Sequence, residues 1–145
     1  MHIEGNAALS SPREAVFAAL EDPQALQRSL PGCKELRAEE DGFYARFVVG
    51  VAAVRGEYEG SIHVRRSEAP SHYDFALAME GQSGFLEAQV ETVLMPQGDG
   101  TNMHYAAEAE MGGMLASMGQ RVAGGVATML VRQFCEALDR EAKGR

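Results

Sequence analysis

The sequence predicts one α+β domain spanning residues 1–145: a curved antiparallel sheet of about seven strands around a long C-terminal helix, with two short helices after the first strand. Two patterns carry this expectation. From Gly112 to Leu138 the apolar residues recur at helical spacing. At about 100° per residue, Leu115, Met118, Val122, Val126, Met129, Leu130, Phe134 and Ala137 share one broad face, with Ser117, Gln120, Thr128, Cys135 and Glu136 mostly opposite. Between Phe43 and Met111 the period is instead two, the mark of strands with one buried and one wet face. A long amphipathic helix beside such strands must bury its stripe on the sheet.

The elements follow in order. His2 to Leu9 reads as a modest strand, with Ile3 as its best β-former. Ser10-Ser11-Pro12 then opens a helix, because serine caps free amides, proline suits the first turn and Glu14 complements the positive end. Val16, Phe17 and Leu20 give that helix a core face. Asp22-Pro23 starts a second short helix running toward Ser29, and Leu30-Pro31-Gly32-Cys33 breaks it. After an Asp41-Gly42 turn, Phe43, Ala45, Phe47 and Val49 line the inner face. The next strand places Val54, Gly56, Tyr58, Gly60, Ile62 and Val64 inward, against Arg55, Glu57, Glu59, Ser61, His63 and Arg65. Tyr73, Phe75, Leu77 and Met79 continue the inner surface, then Leu86, Ala88, Val90, Thr92 and Leu94, then Met103, Tyr105, Ala107, Ala109 and Met111. Turns at Ala69-Pro70-Ser71, Gly81 to Gly84 and Pro96 to Gly100 separate these rows. This order of elements is the helix-grip arrangement.

Composition narrows the function. A 145-residue chain buries roughly 70% of its unfolded surface and suggests one core. The net charge of −8 disfavours an electrostatic nucleic-acid role and direct attraction to anionic lipid. Two distant cysteines and no signal peptide lead to the expectation of a reducing cytoplasm. Gln120 and Arg121 interrupt the apolar run around the terminal helix, so no membrane span is expected.

No catalytic constellation emerges. His2, His63, His72 and His104 are scattered without ligand spacing, so neither a metal nor a cofactor is expected. Cys33 has no adjacent base, Cys135 reads as an inert thiol, and the glycine pairs lack the context of a phosphate loop. The inward inventory is more telling. Of eight methionines, Met79, Met103, Met111, Met114, Met118 and Met129 map onto or beside the space between sheet and helix, where a flexible side chain suits an adaptable apolar pocket. Gly56 and Gly60 are expected to vacate volume there. Glycines 112, 113, 119, 124 and 125 either permit close helix–sheet approach or create a cavity with a movable mouth. Arg121 and Arg132 flank the stripe as solvated stems. The expected lining is Phe47, Tyr58, Phe75, Leu77, Met79, Val90, Met103, Tyr105, Met114, Met118 and Val122, with a gate at Gly112 and Gly113. Tyr58 and Tyr105 are the candidate hydroxyls for orienting a guest.

Several stretches also resemble the carbon monoxide dehydrogenase G-subunit family, within the START/polyketide-cyclase-like helix-grip superfamily. They are Ile3-Glu4-Gly5, Asp22-Pro23, Leu30-Pro31-Gly32-Cys33, the run from Val54 to Gly60, Gly100-Thr101 with Tyr105, and the run from Gly112 to Arg121. The resemblance implies an apolar cavity and an accessory, noncatalytic role beside a molybdenum-containing hydroxylase. That role would lie in maturation or membrane recruitment and involve a quinone- or lipid-like molecule. Many relatives reach the membrane through a C-terminal extension; with the sequence ending at Arg145, anchoring by this chain alone is not expected. A location at the inner face of the membrane, peripheral contact with it, and a homodimer through strand edges are left open. The rival expectations are a cyclase- or hydratase-like enzyme using the pocket tyrosines, and a protein-interaction module with a filled interior.

Overall fold

The computed structural model describes the backbone of residues 1–145 and every side chain except that of Ala52. Strand β1 (His2–Leu9) is followed by helices α1 (Arg13–Glu21) and α2 (Pro23–Ser29). Six strands come next: β2 (Cys33–Glu39), β3 (Gly42–Val49), β4 (Gly56–Glu68), β5 (His72–Gly81), β6 (Gly84–Gln97) and β7 (Gly100–Gly112). A 3₁₀ turn at Ala52–Val54 precedes β4, and a second at Gly113–Met118 precedes the terminal helix α3 (Gln120–Lys143). The sheet is wholly antiparallel, in the order β1-β7-β6-β5-β4-β3-β2. The expected architecture is therefore the observed one, with one boundary changed: the helix read from Gly112 starts at Gln120. Gly113 and Gly119 take left-handed φ values of 66° and 81°, which interrupt a regular helix.

The two edge strands β1 and β2 are separated in sequence only by α1 and α2, so this helical link runs from one edge of the sheet to the other. The sheet curls to allow it, and β4 and β5 approach closely at Gly60. A Cβ at Gly60 would lie 1.8 Å from the Ala78 carbonyl oxygen of β5. The expectation that Gly60 empties volume from the interior is therefore corrected: it lets two backbones meet closely where the sheet turns.

Packing is uneven along α3. The helix rests on α1, α2 and β1. The largest fully buried side chains are Val16, Phe17, Ser29, Leu94, Thr101 and Leu138, all at the end where α3 finishes. The buried face of the helix carries Ala123, Cys135, Leu138 and Ala142, with Val131 and Phe134 packed against the same core. Cys135, expected on the far side, is thus buried, while Val122 is 47% exposed. Small residues define the contact face because α1 and α2 approach the helix there; the larger Val122 and Met129 lie across the axis from it.

A carboxylate fixes this dense end. Asp139 accepts hydrogen bonds from the Ser10 amide (3.0 Å), the Ser10 hydroxyl (2.9 Å) and the Ser11 amide (3.1 Å). The Ser11 carbonyl in turn accepts from the Thr101 hydroxyl at 2.7 Å. The serines do not cap α1 as the sequence leads one to expect: Pro12 is its N-cap, and no side chain caps it. Ser10 and Ser11 instead join β1 to α3. The second expected cap is present: Asp22 accepts from the Gln24 amide at 3.0 Å. Burial opposes the charge on Asp139, yet the hydrogen bonds from Ser10 and Ser11 hold its carboxyl below the ordinary carboxylate range.

That depression fixes the pH sign. A carboxyl lowered in the folded state stabilises the fold above its unfolded pKa of about 3.9, and this contribution disappears as pH falls through the folded value. Asp139→Ala is expected to cost about 2 kcal/mol at neutral pH, measured by urea denaturation. Asp139→Asn should flatten the acid limb of the stability curve.

Candidate functional site

The inner face of the sheet is greasy but incompletely covered. Phe47, Phe75, Leu77, Val90, Tyr105 and Met118 remain half-buried although they face the helix side of the sheet. Met79 and Met103 are buried among them, as is Tyr58. The gap lies under the first half of α3. Gly124 is on the same face of that helix as Val131, two turns before it, and a Cβ built there meets nothing within 4 Å. The same holds at Gly125. Close approach of helix to sheet therefore does not explain these glycines. The helix packs chiefly on α1, α2 and β1, and leaves the inner residues of the middle strands half-buried.

Two of the expected lining residues lie elsewhere. Met114 is 74% exposed in the second 3₁₀ turn, and Val122 faces solvent as described. The turn at Gly113 and the break at Gly119 rotate both away from the sheet, and Leu115, 5% exposed, is the residue of that segment which packs inward. Leu115 also donates its amide to the Ser83 carbonyl at 3.0 Å. The expected gate is tightly seated: a Cβ on Gly112 would fall within the Phe85 ring, and one on Gly113 would stand 2.9 Å from Gly84 Cα. This joint anchors the entry to α3, whereas Gly119 has open space around it.

The two tyrosines differ. The Tyr58 hydroxyl donates to the Val54 carbonyl at 2.7 Å, tying β4 to the first 3₁₀ turn, so its proton is already committed. Tyr105 lies against Gly5, where a Cβ would stand 2.5 Å from the phenol oxygen, so glycine on β1 makes room for the ring. Burial raises the Tyr105 phenol, with Cys135 adding to the effect and Arg132 opposing it. No side chain or backbone group among the described residues is hydrogen-bonded to this hydroxyl. It is a polar group over Gly5 of β1 with its hydrogen-bonding capacity free.

Groups that would support catalysis are not gathered here. The Cys135 thiol is pushed up to about 11 by burial, with Glu136 contributing, and burial likewise raises Cys33 against the opposing influence of Glu35 and Arg46. Both thiols are protonated, and so poorly nucleophilic, near neutral pH. His2 and His104 sit on the outer face, bonded to Glu4, with Glu108 and Asn6 as further partners. Among the described residues no group of His, Cys, Asp and Glu is arranged to hold a metal ion. A separate open groove of ≈ 580 Å³ lies on the outer face, bordered by Glu39, Tyr44, Glu59, Glu80, Phe85 and Glu87. Its carboxylates make it a poor seat for an apolar molecule. Arg121 and Arg132 are exposed, as expected for solvated stems.

A curled seven-stranded antiparallel sheet, a helical link joining its edges and a long terminal helix over its inner face define a helix-grip domain. Its sequence places it more narrowly: residues 5–143 match the family model for the carbon monoxide dehydrogenase G subunit (CoxG), and the chain belongs to that family. Among solved structures, a conserved protein from Geobacillus kaustophilus is 34% identical with a TM-score of 0.95, over 99% of this chain and 96% of that one. A protein of Chromobacterium violaceum (15% identity, TM-score 0.75, 96% and 94% covered) shares the fold. So does one of Thermus thermophilus (14%, TM-score 0.71, 99% and 98%). No curated protein matches the sequence.

The two kinds of glycine separate experimentally. Gly124→Ala and Gly125→Ala are each expected to raise stability by about 1 kcal/mol, because the new methyl meets no neighbour and helix propensity improves. Gly60→Ala should instead unfold the protein or greatly reduce its soluble yield, since the methyl would collide with backbone. Thermal unfolding of the variants distinguishes them.

Proposed function

We propose that this chain is a noncatalytic accessory protein that holds one hydrophobic small molecule, quinone- or lipid-like, between the inner sheet face and the first half of α3. The observation that supports it most is the half-buried inner row Phe47, Phe75, Leu77, Val90 and Met118, with a helix segment whose Gly124 has no neighbour within 4 Å. An uncovered apolar surface of this kind gains from an apolar guest, since each buried CH₂ contributes about 0.8 kcal/mol. Tyr105 offers one polar handle, suited to a carbonyl or hydroxyl on that guest. Met79, Met103 and Tyr58 form the deeper floor, and Gly112 and Gly113 hold the joint beside the entrance.

Family membership directs the service toward a carbon monoxide dehydrogenase-type molybdenum hydroxylase, in its maturation or recruitment. The chain is placed in the cytoplasm on this reading; no helix is long and apolar enough to cross a membrane. An enzyme of the cyclase or hydratase type fits less well. It needs an acid–base pair inside the gap, and there Tyr58 is bonded to a backbone carbonyl while both thiols are raised by burial.

Native mass spectrometry of the full chain, purified without detergent and then offered a short-tailed quinone, tests the proposal. One guest per chain is expected. Tyr105→Phe should weaken uptake about three- to tenfold, the loss of one hydrogen bond, while Leu77→Asp should abolish it. A chain that neither retains nor takes up any apolar molecule overturns the reading.

A further inference from the structure

The seam between β1 and β7 carries an unbroken line of polar side chains on the outer face of the sheet. Met1 and Ala109 exchange both backbone hydrogen bonds, at 2.7 and 2.8 Å. Strand alternation then makes His2 with Glu108, Glu4 with Ala106 and Asn6 with His104 the pairs without backbone bonds, whose side chains stand closest. His2 Nδ1 meets the Glu108 carboxylate, and His2 Nε2 is 2.9 Å from Glu4 Oε1. The other oxygen of Glu4 is 3.0 Å from His104 Nε2. His104 Nδ1 is 3.2 Å from the Asn6 amide oxygen, which accepts from Asn102 Nδ2 at 3.1 Å. Ala106, directly across from Glu4, leaves room for both rings to reach that carboxylate.

Counting protons singles out His2. A carboxylate only accepts, so both ring nitrogens need a hydrogen if Glu4 and Glu108 are to be bonded together. The neutral ring has one hydrogen and turns a lone pair toward one of the two acids; the imidazolium serves both. The surrounding charges favour the proton. On β6, Glu91 lies across from Ala106 and Glu87 across from Glu110, while the uncharged Gln89 and Val93 lie across from Glu108 and His104. Strands β1, β6 and β7 contain no Lys or Arg, and the Met1 ammonium is bonded to the Ala109 carbonyl. The bonds to Glu4 and then Glu108 raise His2 above its ordinary value of 6.5, and the bond from His2 lowers Glu4. A histidine raised in the folded state stabilises the fold fully below its unfolded value, and that contribution is lost as pH rises through the folded one. The lowered Glu4 sets the opposite limit, its contribution being lost as pH falls through its folded value.

We propose that His2 is a pH-operated latch on this seam: its protonated ring ties the first half of β1 to β7, and loss of the proton lets that half fray from the sheet. β1 is an edge strand, paired on one side only. Gly5 is the floor on which the Tyr105 ring rests, so fraying loosens this tyrosine. The far end of β1 stays held, because Ser10 and Ser11 remain bonded to Asp139. The latch depends on no reading of what the interior holds.

Two measurements on the full chain test it. In an NMR titration the His2 ring is expected to titrate above 6.5, and Glu4→Gln or Glu108→Gln should each bring it down. Amide protection, corrected for the intrinsic effect of pH on exchange, is then compared at Ile3 and Gly5, whose amides bond β7 by the same alternation. It should fall about three- to fivefold between about pH 6 and about pH 8.5, the size expected of two exposed ion pairs. Amides in the middle of β5 should keep theirs. In His2→Gln the fall should vanish, with β1 poorly protected at both pH values, whereas His63→Gln, on the exposed face of β4, should behave as the parent does. A His2 ring that titrates at or below 6.5 overturns the proposal. So does β1 protection that is the same at both pH values, or a fall of equal size in His2→Gln.

Discussion

Asp139 holds the C-terminal half of α3 to the corner between β1 and α1, and the rest of the molecule is arranged around that attachment. Its carboxylate collects two backbone amides and a hydroxyl from Ser10 and Ser11, beside a core that includes Phe17, Leu94 and Leu138. Fixed there, and seated at its entry by the joint between Leu115 and Ser83, the helix is most densely packed along its second half. Its first half meets no strand closely enough for a methyl on Gly124 to find a neighbour. The resulting gap follows from where the helix is fastened: side chains need not be missing from the core for a space to exist.

The sheet contributes the complementary half of the geometry. Its edges are joined through α1 and α2, which forces a curl, and Gly60 lets β4 and β5 approach closely. Cross-strand carboxylates on the convex face cost some stability, because like charges opposite one another repel. The protein thus has one densely packed end, an outer sheet face rich in carboxylates, and at the other end exposed apolar side chains at Val48, Phe85, Met114 and Val122.

Much of this is legible in the sequence because strands of period two announce their faces. Tyr58, Ile62, Met79 and Met103 are buried as their alternation requires. The start of α3 is hidden for a physical reason: Leu115, Met118 and Val122 fall at helical spacing, but the breaks at Gly113 and Gly119 reset the phase before the helix begins. The buried face is hard to see because Ala123, Cys135 and Ala142 carry little hydrophobic weight, while the larger Val122 is left in water. Asp139 has no local signal, since its partners are more than a hundred residues away in the chain. The role of Gly60 depends on how close β5 comes, and that is a property of the curl.

Hydrogen exchange resolved along α3 tests the central claim most directly. If the helix is packed firmly in its second half and loosely before it, amides from Val126 to Met129 should exchange at least about tenfold faster than those from Cys135 to Asp139. Equal protection along the whole helix would mean that its first half is as firmly packed as its second, and would contradict the account.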